Sequence, residues 1–315
     1  SDKVIVQSIA GVGPDVFDNY GPSDTDAYVK SGVAMDLTDH LKEAGIDFEN
    51  EVWSVAAPTC VYNGRIYAFP TNVVVNALWI NKDIFDRCGV PYPDGPWTWE
   101  EMIPVARKLT VREKNGRIKH FGLMMEWGYW PQFVWQWGGS IYSEDGTRCV
   151  VDSPEAIEGI RMMHDLVYKH RVMPSPVEEA TLSSTGGWGS GIITLFGSGK
   201  SAMAYGGRWW LCTMRDFEGI RLGAVECPHG PVRVYFGGVR CTMVNKNSPR
   251  AKEALAFIRY LASEPYGELI NHQADALAPK IATSYTDKYL HDPEYPEEDF
   301  NHVWRDTMKY GKATE

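Results

Sequence analysis

The stretch Trp79–Met102, WINKDIFDRCGVPYPDGPWTWEEM, carries helix start and stop signals at fixed offsets that leave it little choice of fold. Asn81 can accept a hydrogen bond from the first turn of a helix over Lys82–Cys88, and Gly89 can take the left-handed position that closes it. Pro91, Pro93 and Pro96 hold the connection extended, because proline fixes its own φ and restricts the residue before it. Thr98 then caps a second helix, and Glu101, three residues on, completes a capping box. The stretch reads as helix, turn, helix, with Trp97 and Trp99 expected to pack the turn onto a neighbouring lobe.

Size is what makes a neighbouring lobe expected. A chain of 315 residues exceeds what one hydrophobic core usually fills, so two lobes are predicted. The contents, 44% hydrophobic and 23% charged, are those of an ordinary globular protein and exclude fibres and disorder. With 31 Lys+Arg against 41 Asp+Glu, the net charge of −10 has the wrong sign for neutralising phosphates, so nucleic acid is excluded as a partner. No uninterrupted apolar run reaches the ~18 residues of a membrane span, and SDKVIVQSIAG lacks the basic start and apolar middle of a signal peptide. Six cysteines, at 60, 88, 149, 212, 227 and 241, form no CxxC pair and suggest no zinc site; disulfides and free thiols stay equally open.

Along the chain, KVIVQSIAGVGPDVFD reads as a helix end, a turn and a short strand at Asp15–Phe17. In VYNGRIYAFP, Asn63-Gly64 between alternating apolar residues marks a hairpin whose second strand is expected to stop at Pro70. Further on come a strand at 120–125, a helix from Trp130 to Trp137, a short strand bounded by Asp145-Gly146, and a helix from Pro154 to His170 capped by Ser153. Residues 175–185 read as loop, Ser201–Tyr205 as strand, Arg208 onward as helix, 220–226 and 232–244 as strands, and Pro249–Ser263 as helix. Together these make an α/β protein.

Catalytic and metal signatures are thin. GSGKS at 197–201 lacks the first glycine of a phosphate loop, since Thr194 stands there, and an apolar strand follows the lysine instead of a helix. There is no GxSxG, HExxH or EF-hand loop, and the eight histidines do not cluster, so no catalytic residue, metal or cofactor is predicted. A glycosidase-type carboxylate pair is invisible to sequence and stays a minor alternative. Aromatic rings beside glycine stand out instead: Trp127, Tyr129 and Trp130 in EWGYWP, Trp188 in GGWGSG, Trp209 and Trp210 in YGGRWW, and Phe236 in VYFGGV. Glycine lets backbone approach closely while a flat ring projects, which suits sugar faces; packing into the core is the competing role for each ring.

Taken in order, AGVGPDVF, YNGRIYAFPTN, LWINKDIFDRCGV with its TW-E helix start, FGSGKSAMAYGGRWW and GGVRCTMVNKNSPRAKEALAFIRYLAS resemble the extracellular solute-binding proteins of ABC importers, family 1, the maltose-, oligosaccharide- and glycerol-phosphate-binding group. The match is spread over residues 10–280. The resemblance implies two α/β lobes of the type II, Venus-flytrap kind, closing on ligand about crossover strands. One lobe would hold 1–70 and 240–285, the other 73–236 with 286–315 returning toward it, and the hinges would lie near 70–72 and 236–239. By the same resemblance the Asp18–Tyr20 loop, with Asp18 and Tyr20, and also Asn72, Trp127, Trp130 and Trp209 fall at ligand-contact positions. Trp127 and Trp209 would stack on pyranose faces, with Trp188 and Phe236 as further rings, while Asp18, Asn72, Glu126 and Arg208 would bind hydroxyls. Relative to the family, the chain looks like an excerpt lacking N- and C-terminal parts. The implied function is reversible carbohydrate capture, without catalysis, by a monomeric periplasmic protein or surface lipoprotein that delivers to an ABC permease. The alternative, motivated by Arg208 and Lys200, is a phosphorylated polyol or other anion.

Overall fold

The computed structural model describes residues 2–114, 116–182 and 190–314. Among them are ten strands: β1 (Val16–Asn19), β2 (Val61–Tyr62), β3 (Arg65–Ile66), β4 (Ala68–Asn81), β5 (Val111–Arg112), β6 (Ile118–Met124), β7 (Ser201–Gly207), β8 (Leu222–Val225), β9 (Tyr235–Val244) and β10 (Gly311–Lys312). The chain divides into two compact units, residues 1–75, 237–295 and 311–315 in the first, 76–236 and 296–310 in the second. Two strands therefore belong to both: β4 passes from the first unit to the second at 75/76, and β9 returns at 236/237. The segment 286–315 is divided, with only 296–310 in the second unit.

In the first unit β9 runs antiparallel between β1 and the first half of β4, and β10 adds to it. The β2–β3 hairpin turns on Asn63 and Gly64 at φ 47° and 73°, the left-handed geometry that this dipeptide supplies. Pro70 does not end a strand. β3 stops at Ile66, and β4 then runs through Pro70, where the register with β9 shifts between Pro70 and Asn72. A bulge tolerates a residue with no N–H to give to the ladder, which is how proline enters a strand that is buried almost throughout.

In the second unit the rest of β4 lies between β7 and β8, both antiparallel to it, and β6 adds to β7 in parallel with β5 beyond. The helix signals hold here. Asn81 caps Lys82–Cys88, Gly89 takes φ 64°, Thr98 and Glu101 form the capping box of Trp99–Lys108, and Ser153 caps Pro154–Tyr168. That last helix packs on Trp130–Gln136 so closely that a Cβ on Gly159 would lie 2.2 Å from the Phe133 carbonyl oxygen. Trp97 and Trp99 are buried, and the partners that hold them lie in their own unit. The Trp97 indole donates to the Glu226 carbonyl at 3.1 Å, and the Trp99 indole donates to Gln136 while its ring stacks on Phe133.

Two further expectations are corrected. Pro176–Leu182 is a helix, not loop: Ser175 and Glu178 exchange hydrogen bonds at its start in the S-x-x-E capping pattern, a signal present in SPVE and overlooked among the surrounding polar residues. Around Asp145-Gly146 there is no strand, only an isolated bridge between Tyr142 and Cys149, because Asp145 turns its carboxylate onto Ser143 and Thr147.

His120, on β6, is buried, and its Nδ1 donates to the Leu109 carbonyl at 2.8 Å. Burial, with Arg87, Lys119 and Lys200 adding, holds its pKa below the ordinary value of 6.5. A base whose folded pKa is depressed contributes stability that is complete above the unfolded pKa and is lost as pH falls through the folded one. The urea midpoint should therefore fall as pH drops below about 6.5. His120→Asn, which keeps a donor for Leu109, should flatten part of that slope between about pH 6.5 and 5.5, where His170, whose pKa burial also lowers, contributes as well.

Candidate functional site

The first unit gathers three of the sequence-predicted residues onto one sheet region. Asp18 stands opposite Thr242 in the β1–β9 register, so Arg240, two residues along β9, shares its face. The Arg240 Nε–H and an Nη2–H donate to Asp18 Oδ2 at 3.1 and 2.7 Å. Asn72 stands opposite Arg240 across β4 and is nearly buried, at 6% exposed. Tyr20 projects at 63% exposed, because the buried Asn19 side chain folds the loop beneath it by accepting the Gly21 N–H at 3.1 Å. Behind this face the Thr71 hydroxyl donates to the Arg240 carbonyl, and the Tyr266 hydroxyl donates to the Thr71 carbonyl. The Tyr266 hydroxyl is pushed up to about 12 by burial, reinforced by the charge of Asp275. Arg240 is held further above the ordinary arginine range by its Asp18 partner, with Tyr20 and Asp275 contributing. Arg240 and Asp275 are the residues sequence reasoning missed. An Arg inside VYFGGVRCTMV, otherwise uncharged, was the available signal.

The second unit carries the aromatic set. Glu126 leads into the turn Trp127–Tyr129, and Trp130 opens the helix Trp130–Gln136 with Pro131 in its first turn. The half-buried Trp127 ring is fixed at its edge, its indole N–H donating to Glu179 Oε2 at 3.1 Å from the unforeseen helix Pro176–Leu182. Trp130 and Phe236 lie partly buried against a core of Val134, Trp135 and Ala156. Phe236 meets Tyr129 edge-on with centroids 5.1 Å apart, and its N–H donates to Gln132 Oε1. Burial raises the Tyr129 hydroxyl pKa, with the Glu126 charge adding.

The tandem tryptophans separate in role. Trp210 is fully buried, whereas Trp209 is partly exposed and meets it edge-on at 6.2 Å. Arg208 is 2% exposed, with its Nε–H on Asn301 Oδ1 at 2.8 Å, so its guanidinium serves the interior of the unit. Lys200 is exposed and leads into β7, a strand, as the broken phosphate-loop pattern required. Trp188 lies outside the described residues. A pocket of about 260 Å³ in the same unit is lined by Lys82, Met214, Arg215, Arg221, Glu298 and Phe300 and includes none of these aromatic positions. Among the described residues no helix is long and apolar enough to cross a membrane.

The profile of the bacterial extracellular solute-binding protein family matches residues 1–268. The chain belongs to this family. Among solved members of the fold, it is similar to an ABC substrate-binding protein from Listeria monocytogenes in complex with cycloalternan, at 23% identity and TM-score 0.83 over 100% of this chain and 77% of that one. It is similar also to maltose-bound MalE3 of T. maritima, at 21% identity and TM-score 0.77 over 100% and 78%. These likenesses establish the expected α/β two-lobed binding-protein fold. Among curated relatives it is 23% identical over 275 residues to the sn-glycerol-3-phosphate-binding periplasmic protein UgpB of Agrobacterium fabrum, covering 81% of this chain and 58% of that protein. Measured against its first curated relatives, the chain spans a little over half their length. Family and fold are those of substrate-binding proteins, not of enzymes, and the family is extracellular, which places its members in the periplasm or at the cell surface.

Proposed function

We propose that this solute-binding protein captures a neutral carbohydrate reversibly, for delivery to an ABC permease. The observation that carries the reading is the residue types that each unit presents by itself: a polar set, Asp18, Asn72 and Arg240, with exposed Tyr20 in the first, and half-buried rings at Trp127, Trp130, Trp209 and Phe236 in the second. Flat rings suit the C–H faces of pyranoses, and paired donors and acceptors suit hydroxyls, which lose about 1–3 kcal/mol each when desolvated without a partner. The sugar ligands of the structural neighbours support the same class.

The UgpB relative motivates a phosphorylated polyol as second reading. Against it, the arginine expected to hold the anion, Arg208, is committed to Asn301, and Arg240 already faces Asp18 with Asp275 nearby. Calorimetric titration of maltotriose, raffinose and glycerol 3-phosphate tests both readings. Saturable, salt-insensitive heat with a sugar, without hydrolysis, and weakened roughly tenfold by Trp127→Ala, is expected. Heat with glycerol 3-phosphate alone, falling steeply with salt, would replace the carbohydrate reading with the anionic one.

A further inference from the structure

The ligand sets use none of the six cysteines, yet two of these meet. Cys60 ends the helix Ala57–Cys60, Cys241 lies in β9, and both are fully buried. They are also the only cysteines of the first unit, the other four falling in the second. Hydrogen bonds tie their surroundings together from two sides. On one, the Cys60 carbonyl accepts the Tyr67 N–H at 2.9 Å just before β4, which sets Pro70 opposite Cys241. On the other, β1 sets Asn19 opposite Cys241, and the Asn19 amide bonds the Thr25 hydroxyl, which donates to the carbonyl of Thr59, the residue before Cys60. The Cys241 thiol donates to the Asn19 carbonyl at 3.3 Å, and Cys241 is close enough to Cys60 to add to the upward push that burial gives the Cys60 thiol.

We propose that Cys60 and Cys241 are a cross-linking pair that closes to a disulfide as the protein folds in the oxidising surroundings of an extracellular family. The oxidant is a disulfide, such as oxidised glutathione or a thiol oxidase's cystine. One cysteine thiolate attacks it, forming a mixed disulfide and releasing one thiol; the second thiolate displaces the other thiol, so two electrons and two protons leave the protein. Closure belongs to folding because burial pushes the Cys60 thiol well above the ordinary range, leaving little thiolate once the core is formed. The bond would close a long loop and restrict the unfolded chain. It would also pin the backbone beside Arg240, which is one residue from Cys241 and shares a face with Asp18.

The test is refolding of the reduced, full-length chain from urea in a reduced/oxidised glutathione buffer, followed by iodoacetamide, non-reducing digestion and mass spectrometry. A peptide joining Cys60 to Cys241, lighter by two hydrogens than its reduced halves, is expected, with reductant lowering Tm by roughly 5 °C or more. Each of Cys60→Ala and Cys241→Ala should abolish the response of Tm to reductant, whatever its absolute Tm, and refolded wild type is informative even where a variant fails to fold. Carbamidomethyl groups on both cysteines when the refolded wild type is unfolded in urea with iodoacetamide present, glutathione retained on either, or pairing with a cysteine of the second unit would overturn the proposal.

Discussion

Glu298→Ala should destabilise the protein by about 3–5 kcal/mol, the loss typical when one partner of a buried ion pair is removed. The Glu298 side chain is 4% exposed and that of Arg215 12%, and they meet in a two-point fork, Nε to Oε1 at 2.8 Å and Nη2 to Oε2 at 2.9 Å. Taking away the carboxylate leaves the arginine charged, desolvated and without its fork. The effect reaches beyond one pair, because Glu298 anchors the segment 296–310, which joins the second unit from far along the chain. There Phe300 and Trp304 pack on Trp79 at 5.5 and 4.7 Å, and Asn301 receives Arg208. Urea unfolding followed by far-ultraviolet circular dichroism reads the change. Glu158→Ala is the control: its partner Arg161 is solvent-exposed, so a change within about 0.5 kcal/mol is expected. A loss below about 1 kcal/mol for Glu298→Ala would mean that Arg215 finds another partner or water.

Signals that act within a few residues were legible in the sequence, and those made by strand register were not. Asn81, Gly89, the Thr98 and Glu101 box and the Asn63-Gly64 turn each satisfy backbone groups a few positions away, so their chemistry declares itself in order. Ser175 and Glu178 make the same kind of box and could have been read the same way. Register is another matter. Arg240 meets Asp18 only because β9 pairs with β1 across more than two hundred residues, and Arg208 turns inward only because 296–310 brings Asn301 to it. The aromatic clusters were found because glycine and tryptophan together are unusual, but their partition was not. Trp210 is core, Trp209 is partly exposed, and nothing in the dipeptide distinguishes them before β7 and its following turn are in place.

Arg240→Ala should weaken carbohydrate binding by about 10- to 100-fold, or about 1.4–2.8 kcal/mol. A guanidinium carries five N–H donors, and Asp18 takes two of them through a single oxygen, leaving donors on Arg240 and the second oxygen of Asp18 for hydroxyls. The pair itself is about half exposed, so its loss should cost little stability, and the urea midpoint should hardly move while affinity falls. That separation is the diagnostic: lost affinity together with lost stability would make Arg240 a structural residue. Asp18→Asn probes the same pair from the other side. It too should weaken the sugar, since a carboxylate accepts more strongly than an amide, yet it releases a cation from its nearest anion. Affinity for glycerol 3-phosphate should therefore rise in Asp18→Asn as sugar affinity falls, and rise further in Asp18→Asn with Asp275→Asn, because Asp275 also acts on Arg240. Ligand preference in this face would then be set by the ratio of carboxylates to guanidinium, two against one in the native chain, a balance that favours neutral hydroxyls over phosphate. If glycerol 3-phosphate binds no better to either variant while sugar affinity is lost, Asp18 acts as a direct acceptor only, and the charge-balance argument fails.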